Sequence, residues 1–505
     1  MSDPKKGVRK MNNKILTKAR IFESEQEKNI TDKQRPLFHL TPRVGWMNDP
    51  NGFCFYNGKY HLFYQYHPYS CVWGPMHWGH AVSSDLIHWE PLPAALAPDS
   101  KNDKEGCFSG CALETEDGNL ALIYTGVHKN KKDKKKNLQI QCLAIGEGIN
   151  FKKERKPVID DSQVPFGCSI EDFRDPKVVQ NDNGDFILYA VNRNADGNGQ
   201  ILAYKSKNLR DWEFCNVVLK NYFGLGRMWE CPDLFYLDGK AVLMMSAQEV
   251  LQSDNFDSGN IGVCLIGQYD EHEHKFIKQK IQQVDRGLDF YAQQTIMSPD
   301  GRRIMIGWLQ NWDICNYREK GARWFGQMSI PREIKIKDGV LIQQPVREIE
   351  SYRQNKQEIN GLKLENEKCP VPQMNGTSLD ITVTVKKYDT DLSYFYINLF
   401  EKDGHYARVY YDYKFEKAGI DRSRAGLKAA LLHERSCSYK IKEGEELKLR
   451  IITDRNSVEV FWGEGELAMS MSIYDEEKGY GLSFGISGRA EINAVSYEIK
   501  DNKNE

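Results

Sequence analysis

Five short segments of this chain look alike. They are NGKYHLFYQY from Asn57, DGNLALIYTG from Asp117, NGDFILYAVN from Asn183, DGKAVLMMSA from Asp238 and DGRRIMIGWL from Asp300. Each opens on Asn-Gly or Asp-Gly, the dipeptide of tight hairpins, whose two central residues need positive φ. Each then enters an apolar, β-branched or aromatic stretch of strand length. The steps between them are 60, 66, 55 and 62 residues. Such a step suits one four-stranded sheet with its loops. Five such units predict an all-β chain that begins with a five-bladed β-propeller.

Counting eight residues back from each turn along the incoming strand reaches Asp49, Ser109, Asp175, Glu230 and Ala292. Strand side chains alternate between faces, so a constant even offset predicts equivalent faces of equivalent strands. Rotation about a propeller axis then gathers three carboxylates and a hydroxyl at one mouth of the channel. Crowded carboxylates raise one another's proton affinity and cost stability, so their convergence points to catalysis or ion binding.

Beyond residue 345 the texture changes. A polar stretch is expected to be a linker over 346–360, whether extended or helical. Alternating runs such as LDITVTVKKY, HYARVYYDY and SVEVFWGEG then predict a C-terminal antiparallel β-sandwich over 361–505. The propeller is expected over 35–345, preceded by an N-terminal arm or short helix over 1–34. The run KNKKDKKK from Lys129 reads as a solvated hairpin loop.

Composition narrows the function. Lys plus Arg number 69 against 71 Asp plus Glu, which gives no electrostatic reason to expect nucleic acid or an anionic membrane as partner. No apolar run approaches the roughly 18 residues of a membrane span. The basic N-terminus lacks the apolar core of a secretory signal, so a cytoplasmic location is expected. The twelve cysteines show neither CxxC pairs nor zinc-ligand spacing, and are expected to be reduced and mostly buried. No calcium-loop spacing is present either, and neither a metal nor a cofactor is expected.

Two carboxylates flanking a scissile bond are the minimum equipment of glycoside hydrolysis, one ionised and one holding a proton. The motifs WMNDPNG (46–52), FSG (108–110), FRDP (173–176), ECPD (230–233) and DFYA (289–292) resemble those of glycoside hydrolase family 32. That family comprises the invertases, sucrose-6-phosphate hydrolases and fructan hydrolases. FGQMSIPRE (325–333), GIDRS (419–423) and DRNSVEVFWG (454–463) extend the likeness over about residues 35 to 495.

The resemblance implies a retaining, exo-acting β-fructofuranosidase working on sucrose, sucrose 6-phosphate or short fructo-oligosaccharides. By it, Asp49 is the nucleophile, Glu230 the general acid/base and Asp175 the transition-state stabiliser, with Arg174 keeping Asp175 ionised. It also implies that Trp46, Asn48, Gln65, Trp73, Phe108 and Ser109 line the fructose pocket, with Trp312 or its rival Trp308. A fructan exohydrolase, a fructosyltransferase and a non-catalytic sugar-binding propeller are the alternatives.

Other residues carry expectations of their own. Trp78, His77 and His80 are expected to be structural. Cys231 is expected to make the surroundings of Glu230 less polar. Cys111, where the family more often has Ser, should change packing more than chemistry. Ala292 supplies no acid, so the fifth unit must act through Asp289 or Tyr291.

Overall fold

The computed structural model describes residues 14–31, 35–131, 133–313, 315, 321–388, 391–426, 432–475 and 477–500. Among these residues the structure is all-β apart from one α-helix, Lys14–Gln26, and short 3₁₀ turns. The expected N-terminal arm thus contains a docked helix, while residues 1–13 and 32–34 lie outside the described set. Arg20 Nε donates to the Ala94 carbonyl at 2.8 Å, and the buried Glu23 accepts from the Ala94 N–H at 2.9 Å. These bonds clamp the helix to the outermost strand of the first sheet.

Five separate sheets follow between residues 45 and 345. Their first strands are Gly45–Tyr56, Gly106–Glu114, Arg174–Gln180, Met228–Leu237 and Tyr291–Met297. Four sheets have four strands; the first gains a fifth, Trp324–Phe325, paired in parallel with Gly45 and Trp46. First strands of successive sheets pack against one another, and that of the fifth packs against that of the first.

The five dipeptides do not all make the same turn. Asn57-Gly58 and Asp238-Gly239 have positive φ at both residues and close two-residue hairpins. In the other three only the glycine is left-handed. There the turns are five-residue loops, closed by Gly118 N–H to Thr115 O, Gly184 N–H to Asn181 O and Gly301 N–H to Ser298 O. The dipeptide marks the right place in every sheet, but the longer loops shift it along the strand.

Residues 353–499 form two six-stranded antiparallel sheets. A continuous apolar core fills the space between them, including Ile381, Val383, Phe395, Ile397, Trp462 and Phe484. The expected linker over 346–360 needs correction. Arg347–Tyr352 is a 3₁₀ turn, and Arg353–Glu365 is a strand paired with Arg489–Ile499 at the edge of its sheet. An edge strand carrying mostly exposed and half-buried side chains need not be apolar, which is why its polar sequence reads as a connection.

The Lys-rich run forms a hairpin loop between strands Leu120–Lys129 and Asn137–Gly146, apart from Lys132, which lies outside the described residues. Lys129 and Lys136 pair with Glu105 and Glu171, all four at least partly exposed.

Candidate active site

Each first strand is bulged close to its start, and the residues of interest sit at the bulges. Register breaks fall between Met47 and Pro50, Phe108 and Gly110, Glu230 and Asp233, and Tyr291 and Gln294, with another beside Asp175. In the third, fourth and fifth sheets the bulge holds a non-glycine residue in the left-handed region: Asp175 at φ 59°, Cys231 at 51° and Ala292 at 54°. Such backbone is uncommon for these residues and re-aims the side chains around it.

This corrects the equal-offset reading. The equivalent of Asp175 and Ala292 is Cys231, whereas Glu230 occupies the place of Arg174 and Tyr291. The unequal turn loops account for the difference. These three equivalent residues also meet. Arg174 Nε donates to Glu230 Oε1 at 3.0 Å, with Nη2 at 2.9 Å, and the Tyr291 hydroxyl donates to Glu230 Oε2 at 2.6 Å.

Asp49 is held from two sides. Asn48 Nδ2 donates to Oδ1 at 3.0 Å and the Ser109 hydroxyl donates to Oδ2 at 3.0 Å. Trp46 Nε1 donates to Asn48 Oδ1 at 2.7 Å, which fixes the Asn48 amide with its nitrogen toward Asp49. Asp175 lies opposite, its Oδ2 accepting the Cys231 N–H at 3.1 Å, while its own N–H donates to Thr125 Oγ1 at 3.0 Å. The Cys231 sulfur stands 4.0 Å from Asp49 and 3.9 Å from Asp175. It therefore faces those two carboxylates, contrary to the expected place beside Glu230, because the bulge turns its side chain away.

The electrostatics follow from burial. Asp49 and Asp175 are 8% and 5% exposed. Burial pushes the Asp49 carboxyl up to about 6, the Glu230 charge adds to the rise, and the bonds from Asn48 and Ser109 oppose it. Asp175 is also displaced upward, by burial first and by Glu230 and Asp49 next, against the pull of Arg174. The expectation that Arg174 serves mainly Asp175 is thus corrected. Its Nε is 3.8 Å from Asp175, and its short contacts go to Glu230. Two buried carboxylates, Asp49 and Asp175, thus lie beside one guanidinium whose short contacts go to a third, half-buried one.

The remaining candidates surround this group. Gln65 Nε2 donates to the Cys107 carbonyl at 3.1 Å, behind Phe108 and Ser109. Trp73 is 50% exposed and meets Phe108 edge-on at 6.0 Å, so the two form a rim. Trp312 is half-buried against Trp46 and Trp308, whereas Trp308 itself is fully buried in the aromatic cluster. Trp78 is core, its Nε1 donating to the Phe108 carbonyl at 3.1 Å. His77 and His80 are buried too, bonded to the Pro75 carbonyl and to His61. Cys111 is buried and accepts the Val178 N–H at 3.2 Å. Asp289 turns away from the group and bonds to the C-terminal half, so Tyr291 is the fifth sheet's contact with Glu230.

One polar contact escaped sequence reasoning. Gln248 Nε2 donates to Glu230 Oε2 at 2.8 Å. Glu230 pairs with Ser246 across the sheet, so Gln248 lies two residues along on the same face. Only the strand register reveals it.

Among the described residues no group of three His, Cys, Asp or Glu is arranged to hold a metal ion. A separate cleft of about 750 Å³, bordered by Trp324, Phe325, Arg455 and Tyr480, opens nearby. No carboxylate is among its described lining residues, so the acid chemistry belongs to the group above. No helix among the described residues is long and apolar enough to cross a membrane.

Comparisons with known proteins give the family. The models of the glycosyl hydrolases family 32 N-terminal and C-terminal domains match residues 39–345 and 348–501. A sucrose-6-phosphate hydrolase from Escherichia coli is 39% identical over 461 residues, covering 89% of this chain and 91% of the relative. A raffinose invertase from the same organism is 36% identical, with the same coverage of each. A Bombyx mori GH32 beta-fructofuranosidase superposes with a TM-score of 0.83 at 31% identity, covering 97% of this chain and 99% of that one. With both domain models matched in sequence order and nearly the whole chain superposed, the protein belongs to glycosyl hydrolase family 32.

Proposed function

We propose that this protein is a retaining β-fructofuranosidase that releases the terminal fructosyl unit of sucrose, sucrose 6-phosphate or short fructo-oligosaccharides. The observation that carries the reading is the convergence of Asp49 and Glu230 with contrasting partners. Asp49 is buried, with two neutral donors fixing its oxygens. Glu230 is gripped at both oxygens by Arg174, Tyr291 and Gln248.

In this reading Asp49 attacks the anomeric C2, forming a carboxylate–C2 bond as the C2–oxygen bond to the leaving sugar breaks. Glu230 delivers its proton to that oxygen. It then takes a proton from water as the water displaces Asp49, so two inversions give retention. Asp175 hydrogen-bonds the fructose hydroxyls while positive charge develops on the ring. Ser109 and Asn48 hold Asp49 in line. Phe108 and Trp73 form the apolar rim, and Trp312, being half-buried, is better placed than Trp308 to meet a sugar.

We read the five sheets as blades of one propeller over 35–345 and the two six-stranded sheets as a β-sandwich. The closed circuit of contacts between first strands supports this. A cytoplasmic setting fits the relatives named as sucrose-6-phosphate hydrolases.

Glu230→Gln tests the acid assignment. It should lower kcat/KM on sucrose by about a hundred- to ten-thousand-fold. A fructoside whose leaving group needs no proton should lose much less. Equal losses on both substrates would remove Glu230 from the role. Comparing kcat/KM for sucrose, sucrose 6-phosphate, kestose and inulin would identify the substrate.

A further inference from the structure

The C-terminal half reaches toward the acid/base carboxylate through one buried ion pair. Arg422 and Asp289 are both shielded from solvent, and Arg422 Nη1 donates to Asp289 Oδ2. Asp289 accepts three further groups' bonds or makes them itself. Its Oδ2 takes the Ser472 N–H at 2.7 Å, its Oδ1 takes Asn311 Nδ2 at 2.6 Å, and its own N–H donates to the Ser470 carbonyl at 3.0 Å. Two residues later, at the start of the fifth sheet's first strand, stands Tyr291. It is fully buried, and its hydroxyl donates to Glu230 Oε2.

We infer that Arg422 is a positioning residue for the acid/base step: by anchoring Asp289 it fixes the strand start that holds the Tyr291 hydroxyl on Glu230. This rests on the assignment of Glu230 above. A bond 2.6 Å long tolerates little displacement, and the backbone between Asp289 and Tyr291 spans a single residue. The anchor is made of charge, so its loss leaves a buried carboxylate unpaired and the segment free to shift. Tyr291 donates to the ionised form of Glu230, so displacing it makes Glu230 hold its proton more tightly and release it less readily. The other groups facing Glu230 are Asp49, Asp175, Arg174 and Gln248, with the Cys231 thiol turned toward Asp49 and Asp175, and none is bonded to Arg422. Asp289 is faced by Arg422, with Arg435 and Tyr474 farther off.

Six full-length enzymes test this: wild type, Arg422→Gln, Arg422→Lys, Tyr291→Phe, Glu230→Gln and His39→Gln. The last breaks a different buried contact between the two halves. The readouts are the ratio of kcat/KM on sucrose to that on a fructoside with a good leaving group, and the alkaline limb of the pH profile. The ratio cancels any loss of folded protein. Arg422→Gln should lower it about tenfold or more, the scale of one charge-assisted hydrogen bond. The alkaline limb should move to higher pH, Tyr291→Phe should do the same, and Arg422→Lys should restore part of both. His39→Gln should leave the ratio at the wild-type value.

A wild-type ratio and limb in Arg422→Gln, with Glu230→Gln still separating the two substrates, would overturn the inference alone. A Glu230→Gln enzyme that fails to separate them would overturn the acid assignment beneath it.

Discussion

Replacing Asp49 by Asn should destroy activity and stabilise the protein in a pH-dependent way. The cost that the native site bears is visible in the burial of Asp49, which lifts its carboxyl from 3.8 to about 6. At about 1.4 kcal/mol per pH unit, keeping it ionised at pH 8 costs the folded state about 3 kcal/mol. The amide avoids that cost and can still accept from Asn48 and donate to Ser109, though those neutral bonds are weaker by about 1 kcal/mol. The net gain is about 2 kcal/mol. Spread over the unfolding entropy of 505 residues, it raises the melting temperature by about 2 °C.

The sign matters as much as the size. A carboxyl whose folded pKa is raised costs nothing while protonated in both states, so the gain should be absent near pH 4. It should grow as pH rises and be complete above about 6. Scanning calorimetry of both proteins at pH 4 and pH 8 reads this directly. Turnover should fall at least a thousandfold, because an amide cannot attack C2. An Asn variant no more stable at pH 8 than wild type, or equally more stable at both pH values, would refute the claim that Asp49 carries a buried, costly charge.

Two further outcomes concern the joints of the molecule. His39, buried between Asp454 and Glu459, would be pushed down by burial, but its hydrogen bonds to those carboxylates outweigh this and raise it to about 9. Its protonated form therefore stabilises fully below pH 6.5, and that contribution is lost as pH rises through 9. The deficit of His39→Gln, about 3–5 kcal/mol at pH 6, should shrink toward pH 9.5 in melting experiments. Glu333 is opposed by burial, yet bonds from Arg347 and Arg302 hold it down at about 2. Allowing for solvent at the exposed Arg347, Glu333→Gln should cost about 1–2 kcal/mol at neutral pH. That deficit should narrow in melting scans as pH falls below about 4.5.

How much of this was legible beforehand depends on what each signal encodes. The turn dipeptides located all five sheets, because positive φ is a local demand that Asn-Gly and Asp-Gly meet in any context. The same dipeptides could not give the register to a single residue, because two-residue and five-residue loops share them. Glu230 and Cys231 consequently changed places relative to Asp175. The acidic motifs pointed to the carboxylates that the fold brings together, but not to who partners whom. Arg174 adjoins Asp175 in sequence yet reaches Glu230, since the register break at Asp175 re-aims the side chains on either side of it.

Arg422 and Glu459, in GIDRS and DRNSVEVFWG, read as marks of resemblance alone. Their partners, Asp289 for one and His39 and Arg332 for the other, lie more than a hundred residues earlier, before residue 345. A buried charge has no periodicity to betray it; its meaning is supplied by the opposite charge across the joint. That is why the ion pair that ties Arg422 to Asp289, two residues before Tyr291, becomes visible only with the two parts of the chain in place.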